Sequence, residues 1–567
     1  MATLLLITVL LPLASSLFLF LGPRRDARSA RSIALGTALV TLAFSLILLV
    51  RFRAGVVTPQ FAFGGVAGPY GWDWLARPGI PGIRFALGLD GISLWLFALT
   101  ALLQITAIFA SWESVQERAS SHYGLLMALE TGLLGLFASL DVVLFYIFFE
   151  FTLIPLFFLI GLFGGPDRRR ASVYFFLYTL AGSLLTLLGV IALVVIHYQY
   201  SPTATLTFSI PELTRGLAGL PWDDWHRVAP WSASPQALIF LLLFAGFAIK
   251  VPMFPFHTWL PLAHVEAPTA GSIILAGVML KVGGYGLLRF NLGMTPLGAH
   301  ILFPFLATLA VIGILYGALA ALAQSDVKRL VAYSSVSHMG FIVLGLFSLN
   351  ATGIDGAVIQ MLNHGLTTGA LFACVGVIYE RYHTREMAEM SGLWDRLPLL
   401  AFFFIVAALG SAALPGLNGF VGEFPILVGM FDRSPRAAVL ASLGMILGAY
   451  YLLWMLQRIL FGPLREPHSH PAVHEPAEAG HAGASHEAAV RPLGWHEVAG
   501  LSPLMVLIVV IGVFPGPFFD RIRPSVAPIA ARVEALRVPR PIALGGSPRP
   551  ATVPSPSLYT ATGESGR

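Results

Sequence analysis

Long apolar runs recur along almost the whole chain, and no other feature of the sequence constrains the fold as strongly. Runs of about 18 to 25 residues, such as Leu4–Leu21 and 236–260, have the length that a helix needs to cross a bilayer. Transmembrane barrels are excluded because their strands alternate in polarity, whereas these runs do not. The pattern predicts an all-α polytopic membrane protein with about 14 transmembrane helices.

The charged residues lie mostly outside these runs. Only 11% of the 567 residues are charged, whereas a soluble domain has about a quarter. The formal net charge is +5, but the Lys and Arg residues cluster in short connections such as 168–170. There they indicate membrane topology rather than a nucleic-acid surface, so we expect a lipid bilayer and no nucleic acid as a partner. The positive-inside bias predicts that both termini are external.

The sequence offers little for cofactor chemistry. Its single cysteine, Cys374, lies inside an apolar run, which excludes disulfides and cysteine-ligated iron–sulfur clusters in this chain alone. Nucleotide-binding glycine motifs and the H-E-x-x-H zinc motif are also absent. We therefore expect neither a cofactor nor a metal site here, and any redox chemistry must reside in other subunits.

Two segments have the composition of irregular chain. The segment 468–486 carries five histidines, and the spacing of His468, His470 and His474 offers metal ligands, but a solvated linker is the favoured interpretation. Beyond about residue 525 the chain is rich in Pro, Ser and Arg. This tail is not expected to form a packed helix.

Two spans are interrupted in similar ways. One contains KVPMFPF (250–256), and the other contains LPGLNGFVGEF (414–424). Each combines helix-breaking residues with an ionisable side chain at membrane depth, Lys250 in the first and Glu423 in the second. Paired broken helices of this kind are typical of transporter repeats and of their ion paths.

Ionisable residues inside the spans are the candidates for chemistry. A charged residue at the centre of a span costs about 2.5 to 3.5 kcal/mol on insertion scales, so each one calls for a reason. Glu150, Lys250, Lys281 and Glu423 are such residues. A lysine and a glutamate whose pairing can break, as predicted for Glu150 and Lys250, would form a proton carrier. The alternative is a structural ion pair, but so many ionisable groups on separate spans favour transport.

Histidines extend the candidate path. His338 and His364 lie beside small polar residues in or near apolar spans, and a neutral imidazole can pass a proton between its two nitrogens. The alternative for each is a hydrogen-bonded core histidine. Glu130 in the fourth span is a further candidate. His257 and His264 flank a helix interruption, where capping or packing explains them equally well.

Four motifs carry a resemblance to a known family. They are KVPMFPFHTWLP (250–261), AHVEAPTAGS (263–272), DVKRLVAYSSVSHMG (326–340) and NHG (363–365). The chain resembles the antiporter-like membrane subunits of proton-pumping NADH:quinone oxidoreductase, respiratory complex I, over roughly residues 1 to 520. Within this family GFVGEF (419–424) and LDGISL (89–94) are similar to the subunit M, or chain 4, type. Leu262 departs from the family pattern, which more often has Asp there.

The resemblance implies a fold with two inverted five-helix repeats, each holding a broken helix. The implied division is N-terminal helices in 1–111, repeats in 122–291 and 301–459, a His-rich loop in 460–497, a last transmembrane helix in 498–519 and a Pro-rich tail in 520–567. Since only a Pro-rich tail follows the last span, we expect the chain to lack the long lateral helix that extends the subunit L type.

The resemblance also implies a mechanism and partners. Glu150 and Lys250 would be a switching pair, Lys281 the central relay, His338 and His364 connecting groups, and Glu423 the exit-side acid, with Glu130 as a further member of the path. The partners would be the other membrane subunits of complex I, especially neighbouring antiporter-like subunits, in a cell inner (plasma) membrane. NADH, FMN, iron–sulfur clusters and quinone are expected in partner subunits.

Two other functions fit parts of this pattern. A subunit of a multi-subunit sodium/proton antiporter or of a membrane-bound hydrogenase would share the fold and most of the lysines, although Glu423 argues against it. A structural membrane scaffold would use the buried charges only to hold helices together. The scaffold predicts that Lys250→Met lowers assembly and leaves the coupling of each complex intact.

Overall fold

The computed structural model describes residues 1–22, 26–63, 72–74, 82–200, 206–218, 234–467 and 490–537. Helices dominate these residues because the apolar runs can satisfy their backbone hydrogen bonds only internally in a bilayer. The first eight are α1 (Ala2–Leu21), α2 (Ala27–Arg51), α3 (Ser93–Ala110), α4 (Ala119–Ala138), α5 (Val142–Phe151), α6 (Leu153–Phe163), α7 (Arg168–Tyr200) and α8 (Ile210–Ala218). The next six are α9 (Pro235–Lys250), α10 (Trp259–Glu266), α11 (Thr269–Ile274), α12 (Leu280–Gly286), α13 (Pro296–Leu322) and α14 (Val327–Leu346). The last seven are α15 (Ala351–Tyr382), α16 (Leu393–Arg396), α17 (Pro398–Ser411), α18 (Asn418–Arg433), α19 (Pro435–Leu460), α20 (Trp495–Val513) and α21 (Gly516–Ala535).

Four short strands lie between α2 and α3 in the chain. They are β1 (Gln60–Phe63), β2 (Trp72–Asp73), β3 (Arg84–Phe85) and β4 (Leu87–Leu89). β1 pairs with β4 and β2 pairs with β3, both antiparallel.

The membrane-crossing architecture is confirmed as a multi-pass helical bundle. Within the described residues, 11 helical segments are long and apolar enough to cross a membrane, and α9 and α17 are shorter apolar helices. Large apolar side chains such as Leu17, Leu188 and Ile446 are exposed on the outside of the bundle, a surface that a bilayer must cover. The total of 14 spans and the two inverted repeats stay predictions.

Two segments form the centre of the bundle. The span that runs from Thr269 to Leu292 and the helix α15 are both 100% buried within their most apolar windows, whereas the windows of α1 and α2 are 39% and 28% buried. The candidate site is built on these two central segments. The first contains two π-helical turns, Leu275–Met279 and Leu287–Leu292, on either side of α12. Such turns often mark functional positions in helices.

The predicted interruptions of two spans are confirmed. α9 ends at Lys250, and the chain resumes as α10 only at Trp259. In the same way α17 ends at Ser411 and α18 begins at Asn418. A third interruption was not predicted: α5 ends at Phe151 because Pro155 has no N–H to donate to the Phe151 carbonyl.

The prediction for the C-terminal tail is wrong in its first part. The chain forms α21 from Gly516 to Ala535, where the sequence predicted the end of the last span at 519 and then no packed helix. Buried apolar residues repeat at helical spacing along it: Phe518, Ile522, Val526, Ile529 and Val533. This stripe packs on the bundle, and Arg523 and Glu534 bind Asp355 and the Ala351 N–H at the start of α15. The His-rich segment 468–486 and residues 538–567 lie outside the described residues.

Candidate functional site

Four of the predicted site residues lie in one row through the buried centre of the bundle. Lys281 lies on α12, and its Nζ is 2.6 Å from His364 Nδ1 on α15. Its ammonium also donates to the Ala276 carbonyl, an acceptor on the π-turn that precedes α12. These contacts explain how a fully buried lysine is accommodated, since hydrogen bonds replace its lost hydration.

The row continues from His364 to a second histidine and a carboxylate. The rings of His364 and His338 have centroids 5.7 Å apart. His338 Nδ1 is 2.8 Å from Glu423 Oε1, and both side chains are nearly inaccessible. Lys281, His364, His338 and Glu423 thus connect α12, α15, α14 and α18 in one row of titratable groups.

Two hydroxyl groups hold the far side of His338. Ser411 Oγ is 3.1 Å and Tyr451 OH is 3.3 Å from His338 Nε2. A hydroxyl can donate to a neutral ring nitrogen or accept from a protonated one. His338 therefore keeps its partners in each protonation state without moving. Sequence reasoning missed both hydroxyls because they come from α17 and α19, which no motif connects to His338.

Glu150 and Lys250 lie near each other but are not bonded. Lys250 Nζ is 4.9 Å from the ring centroid of Phe149 and has no hydrogen-bond partner among the described residues. Glu150 Oε1 likewise has none, although the charge of Glu150 acts electrostatically on Lys250. The structure therefore shows the two residues of the predicted switching pair apart, without a hydrogen bond between them.

The end of α9 packs closely against α12, the helix that carries Lys281. A Cβ at Gly283, two residues after Lys281, would lie 2.5 Å from Val251 Cγ2 and 2.8 Å from the Phe247 carbonyl. Glycine is required for this approach because any side chain would push α9 away from α12. Lys250 at the end of α9 thus sits on the helix that packs directly against the Lys281 helix.

Glu130 is separate from this row. It is fully buried in α4, and neither of its carboxylate oxygens has a hydrogen-bond partner in the described part of the chain. A buried polar group without a partner costs free energy, so its retention needs a functional reason or bound water. No contact brings it to the row of Lys281 and its neighbours.

The two flanking histidines have packing contacts. His257 stacks on Phe254 at 5.7 Å between ring centroids, and His264 stacks on Phe372 at 4.6 Å. Both ring nitrogens of His264 are without a described hydrogen-bond partner, so the ring lies in the core as an aromatic group.

Further buried charges outside the row escaped the sequence analysis. Arg289, in the π-turn after α12, pairs with Asp90 just before α3. Lys328 Nζ donates to the carbonyls of Val265 and Ala267, at 3.3 Å and 2.6 Å, where α10 ends. Lys328 also lines a cavity of about 730 Å³ together with Glu113, Glu266 and Glu380. Asp90 and Lys328 occur in quoted motifs, but only the fold reveals their partners.

Metal ligation and redox cofactors find no support in the donor set. The described residues contain no group of three His, Cys, Asp or Glu side chains that could hold a metal ion. Cys374 is buried and single, so an iron–sulfur cluster does not fit there. The histidines of the 468–486 segment lie outside the described residues.

The fold and the site together define a multi-pass helical membrane protein with a row of titratable groups through its interior. A family model for NADH:quinone oxidoreductase/Mrp antiporter transmembrane proteins matches residues 139–448. Subunit M of the NADH-quinone oxidoreductase of Rhodobacter capsulatus is 40% identical over 540 residues, covering 94% of this chain and 98% of that protein. Chain 4 of the NADH-ubiquinone oxidoreductase of Chondrus crispus is 39% identical over 519 residues, covering 91% and 96%.

Solved structures agree with this assignment. A chain of respiratory complex I from Thermus thermophilus with bound NADH superposes with a TM-score of 0.77 at 32% identity, covering 93% of this chain and 99% of that one. A chain of the Mrp complex from Dietzia sp. DQ12-45-1b has the same fold, with a TM-score of 0.74 at 20% identity and coverage of 94% and 99%. This chain belongs to the NADH:quinone oxidoreductase/Mrp antiporter transmembrane family. The resemblance stated from its motifs is confirmed.

Proposed function

We propose that this chain is a proton-translocating membrane subunit of NADH:quinone oxidoreductase, of the subunit M or chain 4 type. The observation that carries the proposal is the row from Lys281 through His364 and His338 to Glu423, in which hydrogen bonds join the two end pairs and the two imidazole rings lie 5.7 Å apart between centroids. Four titratable groups in contact across four helices are more than a bilayer protein needs to hold its helices together. The relatives named as subunit M and chain 4, matched over nearly their full length, supply the parent complex.

Each residue of the row has a role in this proposal. The Lys281 ammonium passes a proton to His364 Nδ1, and His364 releases a proton from Nε2. That nitrogen is buried without a described partner, so we infer a water molecule that carries the proton to His338. His338 accepts at Nε2 and donates from Nδ1 to Glu423 Oε1. His338 is then left with its proton on Nε2, and the hydroxyls of Ser411 and Tyr451 can accept a hydrogen bond from that N–H.

Glu150 and Lys250 are the proposed entry to the row, and Glu130 is a further proposed member of the path that stands apart from it. Glu150 and Lys250 act as the switch that loads the row, since their separation leaves the lysine free to exchange its proton with neighbours. Each proton moved works against about 2.3 kcal/mol per 100 mV of membrane potential. In this proposal electron transfer from NADH to quinone takes place in partner subunits, which hold the FMN and the iron–sulfur clusters.

The experiment is NADH-driven proton uptake into membrane vesicles with Lys250→Met, normalised to the amount of assembled complex. We expect normal assembly with a joint collapse of turnover and pumping. Unchanged turnover and pumping would refute the proton path and support the scaffold. Activity that needs sodium and not NADH would instead identify a cation/proton antiporter subunit.

A further inference from the structure

The carboxylate of Glu423 receives a second hydrogen bond that no motif indicated. Gln360 Nε2 on α15 donates to Glu423 Oε1 at 3.0 Å, the same oxygen that His338 Nδ1 approaches at 2.8 Å. An amide N–H₂ can donate but cannot accept. Oε1 therefore has a permanent donor whatever the protonation state of His338.

The orientation of the Gln360 amide is fixed by its other contacts. Asn363 Nδ2 lies 3.5 Å from Gln360 Oε1, a long contact that favours the orientation in which the amide nitrogen faces Glu423. Asn363 is itself held, because its Nδ2 donates to the Asn418 carbonyl at 2.6 Å and Asn418 Nδ2 donates back to the Asn363 carbonyl at 3.2 Å. These bonds join α15 to the first residue of α18, next to the interruption after α17.

Close packing confines the same amide. A Cβ at Gly422 would lie 2.1 Å from Gln360 Oε1. The neighbour of Glu423 must therefore be glycine for Gln360 to reach its position. The contact is built into both helices.

We propose that Gln360 is a positioning residue that holds Glu423 as a carboxylate facing His338, so that Glu423 readily gives up each proton it receives. This inference rests on the proposed function. A proton placed on Oε1 competes with the Gln360 bond, which favours the ionised acid and release of the proton. Hydrogen bonds to charged groups are the stronger ones, so loss of this donor has a measurable effect.

Within the described part of the chain, few other ionisable groups lie near Glu423. His338 comes from α14 and Tyr451 from α19, and His364 stands behind His338. α17 contributes the neutral Ser411.

Several charges of the helices around Glu423 have partners of their own, as Asp432 on α18 has in Arg537. The titratable groups of α20, His496 and Glu497, sit near Glu113 and Arg381. Asp355 at the start of α15 is paired with Arg523. Among the described residues, the side chains that hydrogen-bond to the Glu423 carboxylate are therefore His338 and Gln360.

The test is Gln360→Met in the assembled membrane complex, which keeps the length of the side chain and removes the donor. The matched control is Gln104→Met, the same substitution at a fully buried glutamine of α3 whose side chain has no described hydrogen-bond partner. Infrared titration follows the C=O stretch of the protonated carboxyl, assigned to Glu423 by its loss in Glu423→Gln. We expect Gln360→Met to move the midpoint of this band by about one pH unit to higher pH, a tenfold change in the equilibrium.

Pumping gives the second readout. The acid limb of the pH profile of NADH-driven proton uptake should shift in the same direction, with wild-type turnover regained at alkaline pH, whereas structural damage would lower turnover at every pH. Gln104→Met should leave band and profile in place. An unmoved band in Gln360→Met overturns the inference even if pumping is intact. If the band moves in Gln360→Met but Glu423→Gln still pumps fully, the proposed function of this site is wrong and the positioning role of Gln360 is not.

Discussion

Replacement of Lys281 separates transport from scaffolding most sharply. In Lys281→Met the row loses its first member, while the partner left behind, His364, can be neutral. No uncompensated charge remains buried, in contrast to the roughly 3 to 5 kcal/mol lost when one partner of a buried ion pair is removed. Removal of the ammonium from the centre of the bundle also relieves an insertion cost of about 2.5 to 3.5 kcal/mol, which offsets the lost hydrogen bonds. We therefore expect the complex to assemble normally.

The transport defect should nevertheless be large. The bond from Nζ to His364 Nδ1, at 2.6 Å, is charge-assisted and contributes about 1.5 to 3 kcal/mol. Methionine cannot carry this proton, and a positioned proton donor typically contributes about 10²- to 10⁴-fold, so proton delivery to His364 should slow by about 100-fold or more. Proton uptake into vesicles, with the complex quantified by native gel and by an NADH-oxidation assay that bypasses quinone, measures both quantities.

Lys281→Arg is the matched variant. Arginine keeps the positive charge but cannot be deprotonated in proteins, so it should block the row as fully as methionine does. Native-gel assembly of this variant must be normal for the comparison to hold. Full pumping in Lys281→Arg would show that the lysine acts through its charge alone, and full pumping in Lys281→Met would refute the row as a proton path.

Two further variants test the surroundings of the row. Ser411→Ala and Tyr451→Phe should each lower proton uptake only slightly, because one hydroxyl remains on His338 Nε2. The double variant should lose more proton uptake than the two single variants together. Additive losses would contradict the shared role of the two hydroxyls. Glu497→Ala should destabilise the complex by about 3 to 5 kcal/mol, because it leaves the buried Arg381 guanidinium without its carboxylate. We expect a lower melting temperature and reduced assembly, with unchanged pumping by each complex that remains. An unaltered melting temperature would show that the pair is dispensable.

The sequence could predict elements whose cause is local. The spans follow from apolar runs, and the interruptions at Lys250 and before Asn418 follow from proline and glycine. The C-terminal helix shows the limit of this reasoning. Pro524, Pro528 and several arginines suggested an irregular tail, yet the apolar stripe from Phe518 to Val533 finds a surface on the bundle that only the folded chain provides.

The sequence could predict those site residues whose burial in a membrane costs free energy. Each ionisable residue inside a span stands out in the sequence, so Lys281, His338, His364 and Glu423 could be named. Their order in one row could not, since it depends on how α12, α14, α15 and α18 pack together, and of these only α14 and α15 are neighbours in the chain. The neutral groups that complete the row, Gln360 among them, carry no such cost and so no signal. The separation of Glu150 and Lys250 also depends on side-chain placement that motifs do not encode.

The interrupted helices explain why opposite charges occupy the two broken spans. Lys250 is the last residue of α9, where the carbonyl end of the helix carries a partial negative charge that favours a cation. Three of the last carbonyls have donors: Phe247 accepts from the Val251 N–H, Ala248 from the Met253 N–H, and Ile249 from Trp259 Nε1. Glu423 follows the start of α18, whose free N–H groups favour an anion, although it lies beyond the first turn, where this effect is weaker. Glu423 therefore depends more on its direct donors, His338 and Gln360, than Lys250 depends on any side chain. A lysine held mainly by a helix end is free to exchange its proton, whereas an acid held by two donors keeps its position while protons pass.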